Sequence, residues 1–94
     1  MLFSVIARDG TGPDAAERRQ AVRQQHLDGI QPLIEAGTLQ VAGAFVNESG
    51  VMCGSMMIYD LPDREAVEAI LRADIYWQKG VWQVFEIFEF KRAV

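Results

Sequence analysis

The chain has 94 residues, half of them hydrophobic, with a formal net charge of −4. That length is one domain with a modest core, and that hydrophobic content excludes a disordered tail. The acidic balance argues against nucleic acid as the main partner, because phosphate neutralisation needs a basic face; the small group Arg18, Arg19 and Arg23 suits one small anion instead.

Residues 2–8 read as a strand rich in β-branched and aromatic residues, followed by the Gly- and Pro-containing turn Asp9–Pro13. Helical periodicity then runs over 14–36, with Val22, His26 or Leu27, Ile30, Leu33 and Ile34 as the inner stripe. Pro32 is expected to kink or interrupt this helix near Gln31, and Gly37 to cap its C-terminal end. Leu39–Val46 and Val51–Tyr59 form an antiparallel hairpin through the turn 47–50. Asp60–Asp63 opens a second helix that buries Ala66, Val67, Ile70 and Leu71. A short helical turn over 75–78, ended by Gly80, leads to a last strand, Val84–Phe90.

The order βαββαβ is the ferredoxin-like plan, a four-stranded antiparallel sheet with both helices on one face. A sheet whose other face met water would alternate apolar with polar residues. Here Met52, Met56 and Ile58 share one side of the third strand and Cys53, Met57 and Tyr59 the other; Phe85 and Ile87 oppose Val84, Phe88 and Phe90 in the fourth. Both faces call for burial, and a homodimer packing sheet against sheet supplies it. There is no internal repeat or linker, so residues 1–94 are expected to be a single domain.

One cysteine, Cys53, allows no intramolecular disulfide and reads as an inert buried thiol in a reducing compartment. The N-terminal residues lack the charged and apolar regions of a signal peptide. No apolar run approaches the ~18 residues of a membrane span. The expectation is a cytoplasmic protein that does not engage membranes. One His and one Cys cannot close a four-ligand zinc site within a chain, and no nucleotide-binding glycine signature is present, so neither metal nor cofactor is expected.

The most informative position is the only histidine, His26. Arg19, Arg23, His26 and Ile30 follow the i, i+4, i+7, i+11 series of one helix face. Two cations and an imidazole therefore point toward the core, which suggests a polar pocket between the first helix and the sheet. His26 can serve as a general base near neutral pH, or sit in the core or an interface bonded to a carbonyl. Asp74 can orient it, or cap the turn 75–78, or both. Arg19 and Arg23 match oxyanions as guanidinium forks, or pair with Glu17, Asp14 or a partner subunit. Ser55 can bond a ligand or simply permit close packing. Tyr76, Trp77 and Trp82 can wall a pocket or fill the core.

These residues, in this order, resemble the YciI-like (YCII-related) family of dimeric α+β barrel proteins. Arg19, Arg23, His26 and Leu27 carry the likeness, with Glu35–Leu39, Ala42-Gly43, Gly54-Ser55, Ala73–Tyr76 and Gly80–Trp82. The resemblance implies a His–Asp pair, His26 with Asp74, and a small-molecule pocket to which Arg19, Arg23, Ser55 and Tyr76 contribute. It also offers a reaction class, since a relative acts as a dehydrochlorinase on a hydroxyquinone. Ile75 stands where the family usually has proline, which leaves open what holds Asp74 in place. The expected function is a small cofactor-independent lyase or isomerase moving a proton on an anionic or aromatic substrate. The alternative is a non-catalytic ligand-binding or accessory dimer with the same pocket.

Overall fold

The structure is a computed structural model describing residues 1–94. Its elements are β1 (Leu2–Asp9), α1 (Ala15–Glu35), β2 (Leu39–Val46), β3 (Met52–Asp60), α2 (Arg64–Ala73), α3 (Ile75–Gln78) and β4 (Trp82–Phe90). The four strands form one antiparallel sheet in the order β2-β3-β1-β4, the ferredoxin-like α+β fold. β1 lies between β3 and β4, with Val5 opposite both Met57 and Ile87. Its inward residues Phe3, Val5 and Ala7 are accordingly buried. Val67 and Leu71 from α2, Ile30 from α1, and Tyr76, Val81 and Trp82 complete the core on that face.

Local chemistry sets the boundaries. Asp63 caps α2 by accepting a hydrogen bond from Ala66 N–H at 2.8 Å. Asn47 Oδ1 accepts from the backbone N–H groups of Ser49 and Val51, closing the hairpin between β2 and β3. Gly37 follows α1 at φ +77°, the left-handed position a helix end favours.

Three expectations are corrected here. α1 is not interrupted near Gln31 but continues to Glu35, because Pro32 lies in the last turn and removes one N–H whose acceptor belongs to exposed Asp28. Ile34 is 45% exposed and leaves the inner stripe, while Val22, Leu27 and Leu33 pack on the core. Cys53 is exposed rather than buried, beside an irregularity in the β2–β3 pairing at Phe45/Val46, with Sγ 3.7 Å from the Phe45 carbonyl.

β4 also begins two residues before the expected Val84, at Trp82. A bulge between Arg8 and Asp9 pairs Asp9 with Trp82 and skips Gln83. It reverses the inside–outside alternation, so Trp82 is buried although Val84, two residues on, is exposed. The opposite sheet face has no helix over it. Val41, Phe45, Val84 and Phe88 are exposed there, and the Phe45 ring lies over Gly54, where an added Cβ would come 3.2 Å from Phe45 Cδ2 and 2.8 Å from the Ala7 carbonyl oxygen.

Leu71 is fully buried between α2 and the sheet. Leu71→Ala is expected to destabilise the fold by about 2–5 kcal/mol, and Ile34→Ala by no more than about 0.5 kcal/mol. Urea unfolding midpoints of the two variants check this.

Candidate functional site

Two buried polar groups of side chains meet on the helix face of the sheet. The first is built on Arg19, which is 5% exposed although it lies in α1. Its Nη1 donates to both carboxylate oxygens of Asp9, at 2.9 and 3.0 Å, and its Nη2 to Ser55 Oγ at 3.0 Å. Trp82 Nε1 donates to the same Ser55 oxygen at 3.1 Å. The guanidinium carbon lies 4.8 Å from the centre of the Tyr76 ring, a cation–π contact.

The second group is centred on Asp74. Its Oδ1 lies 2.8 Å from His26 Nδ1 and accepts the Tyr76 backbone N–H at 2.8 Å. The same oxygen thus caps α3 and meets the imidazole. Its backbone, at φ −70° and ψ 139°, has the extended conformation that a following proline would impose. With Ile75 in that place, the cap supplies the restraint.

The His26 and Tyr76 rings stack with centroids 3.9 Å apart and planes 6° from parallel. Trp82 packs edge-on against both, at 5.6 and 5.4 Å. A ring held this way cannot rotate freely. With Nδ1–H donated to a carboxylate, the neutral imidazole carries its lone pair on Nε2. No protein atom bonds Nε2, so an imidazole in this setting can accept a proton there.

Two hollows flank His26. One, of about 240 Å³, lies between α1 and the sheet, bordered by Arg19, Arg23, His26, Ser55 and Tyr76 with Ala42–Ala44, Met52 and Met57. The other, of about 360 Å³, opens outward between α1 and the α2–α3 corner and exposes the Asp74 side of the pair. The inner cleft is the site of interest, because it brings together His26, both arginines, Ser55 and Tyr76. Asp74 reaches it only through His26.

Electrostatics follow from burial. Burial pushes the Tyr59 phenol up, and the Asp74 carboxylate nearby adds to the shift. Burial also raises Tyr76, against the lowering charges of Arg19 and Arg23. Asp9 is raised because desolvation outweighs its hydrogen bond to Arg19 and that residue's charge. Arg23 is half-buried and forms no ion pair. No three His, Cys, Asp or Glu side chains converge to hold a metal ion.

Every residue picked out in the sequence thus has a place, but Arg19 differs from the expectation: it pairs with Asp9, not with Glu17 or Asp14. Asp9 was missed by sequence reasoning. Its signal was parity, since it shares the odd-numbered positions of Phe3, Val5 and Ala7, but it also reads as the start of a Gly-rich turn. Trp82 lies in the site network, whereas Trp77 packs against Phe85 and Arg72 on the other side of the turn.

Comparison with known proteins adds the wider context. Residues 1–91 match the YCII-related domain. The chain is 33% identical to the protein YciI of Escherichia coli over 98% of both chains. In architecture it is similar to the 5-chloro-2-hydroxyhydroquinone dehydrochlorinase of Burkholderia phenoliruptrix, solved in complex with 2,5-dihydroxybenzoquinone. That likeness has a TM-score of 0.85 at 21% identity and covers 99% of this chain and 96% of the other. A dimeric ferredoxin-like protein from Jannaschia gives a TM-score of 0.52 at 15% identity, over 97% and 98% of the two chains.

Ser caps helices as well as Asp does, but its hydroxyl sits one bond nearer the backbone and carries no charge, so Asp74→Ser separates the two roles of this residue. The variant is expected to keep α3 and lose the single-tautomer state of His26. In ¹⁵N NMR at a pH where the ring is neutral, the wild-type resonances should report a protonated Nδ1 and an unprotonated Nε2. Those of the variant should move toward a mixture.

Proposed function

The chain belongs to the YCII-related family, and from that premise we propose that it is a small enzyme of the lyase or isomerase type that moves a proton on a small anionic or aromatic substrate. One observation carries the reading: Asp74 engages His26 Nδ1 while Nε2 is left unpartnered on a ring that borders the inner cleft. His26 Nε2 takes a proton from an acidic C–H or O–H of the substrate, and the electron pair left behind delocalises into an enolate or phenolate. Asp74 stabilises the imidazolium that results. Arg23, the arginine without a carboxylate partner, stabilises the oxyanion. In an elimination the electron pair expels chloride from the neighbouring carbon, so the net loss is HCl. The chemistry of the dehydrochlorinase with the similar fold supports a hydroxyquinone-like substrate.

The working unit in this proposal is a homodimer formed through the open sheet face. Exposed Val41, Phe45, Val84 and Phe88 lie on that face, and large contiguous apolar patches mark interaction sites. No helix is long and apolar enough to cross a membrane. The exposed Cys53 thiol suits a reducing compartment, the cytoplasm.

Incubation with a chlorinated hydroxyhydroquinone, followed by chloride release and by solvent deuterium uptake in NMR, tests the chemistry. His26→Gln should lower the rate by about 100-fold or more. An unchanged rate in that variant removes the proposed role of His26. A ligand that binds without any turnover by the wild type would leave the protein a binding or accessory dimer. For assembly, sedimentation equilibrium should give twice the chain mass of 10.5 kDa, and Phe88→Asp should give the single-chain mass.

A further inference from the structure

Ser55 Oγ receives two hydrogen bonds, one from Arg19 Nη2 and one from Trp82 Nε1. Neither donor can exchange roles, because guanidinium and indole N–H groups accept nothing. A serine hydroxyl has two acceptor lone pairs and one O–H. With both lone pairs occupied, the proton is left to be donated, and no protein atom receives it. Ser55 is 3% exposed and forms part of the floor of the inner cleft. The hydroxyl is thus a donor held in place before any ligand arrives.

Arg19 is matched by Asp9 and His26 faces Asp74, while Arg23 has no carboxylate partner. No acidic side chain borders the cleft itself. Arg23 is thus the cation lining the cleft that no carboxylate side chain matches. The remaining walls are apolar or small: Leu27 and Ile30 from α1 on one side, and Met57 with the flat edge Ala42–Ala44 from the sheet on the other. A volume of about 240 Å³ is below the roughly 300–1,000 Å³ of sites for drug-sized ligands and matches an occupant of about one ring.

We propose that the cleft selects a single-ring organic monoanion, whose acceptor oxygens meet the Ser55 hydroxyl and the Arg23 guanidinium. This rests on the cleft of the proposed reaction and names what it accepts. Arg19 is a positioning residue in this account. It is tied to Asp9 and orients Ser55, so it does not clamp the ligand. A neutral isostere leaves Arg23 unmatched. A dianion places its second charge against Leu27 or Met57 with no counter-ion, which burial penalises.

Calorimetric titration of the full chain with benzoate, benzamide and terephthalate tests this. Benzoate is expected to bind about tenfold or more tightly than benzamide or terephthalate, the range of one charge-assisted hydrogen bond. Arg23→Met should bring benzoate down to the benzamide level. Ser55→Ala should weaken benzoate; should burying two unpaired N–H groups unfold that variant, the three ligands on wild type and Arg23→Met still decide. Equal binding of benzoate and benzamide, tighter binding of terephthalate, no binding of any of the three at millimolar concentration, or an unaffected Arg23→Met variant each overturns the inference. His26→Gln keeps its fate separate from that of the catalytic proposal. Benzoate binding retained in that variant and in the wild type, with no chloride released from the chlorinated hydroxyhydroquinone by either, removes the enzyme and leaves the monoanion site standing.

Discussion

A guanidinium buried as deeply as Arg19 forfeits hydration worth several kcal/mol, and the fold around it is arranged to compensate. Asp9 supplies the opposite charge from the end of β1, Ser55 supplies an acceptor from β3, and Tyr76 supplies the face of its ring from α3. Three elements distant in sequence are tied to α1 through this one side chain. The bulge at Arg8/Asp9 belongs to the same arrangement, because it turns Trp82 inward to share the Ser55 oxygen. One N–H of Arg19, at Nε, has no partner. The compensation by protein groups is therefore incomplete.

Asp74 connects this network to the histidine. A carboxylate oxygen that caps a four-residue helix is held by the backbone, and a backbone-held oxygen is a rigid partner for an imidazole. The same helix carries Tyr76, whose ring lies against both His26 and Arg19. Displacement of α3 would disturb the imidazole's hydrogen bond, its stacking surface and the guanidinium together. This coupling is a physical reason for so short a helix to be firmly capped. The cap also restrains Asp74 in its extended conformation ahead of Ile75.

The sheet divides the molecule's tasks between its faces. The helix-covered face carries the core and, at the β2–β3 side, the small residues Ala42, Gly43, Ala44 and Ser55 that leave room for the cleft. The uncovered face carries bulky apolar side chains with only isolated charges, such as the Arg8–Glu86 pair. In a chain of this size the core on one face is small, and covering the second face would add materially to stability.

The order of elements, the strand pattern and the single face of Arg19, Arg23 and His26 were legible in the amino-acid sequence, because periodicities of two and 3.6 are local properties. So was Asp74 as a cap, which depends on a residue two positions away. The pairing of His26 with Asp74 was accessible only through family resemblance, since no local rule links positions 48 apart. The partner of Arg19 was legible only as strand parity: Glu17 and Asp14 are nearer to it in sequence, but Asp9 is brought close by the strand-to-helix turn. The burial of Trp82 was decided by a bulge, which breaks the alternation on which a strand reading relies. Pro32 and Ile34 failed for a related reason, because a helix end is judged by what packs on it. The sequence by itself determined which segments fold and which polar residues face inward. Only the tertiary structure decided which of them touch, because contact depends on strand register and on the angle at which α1 and α3 cross the sheet.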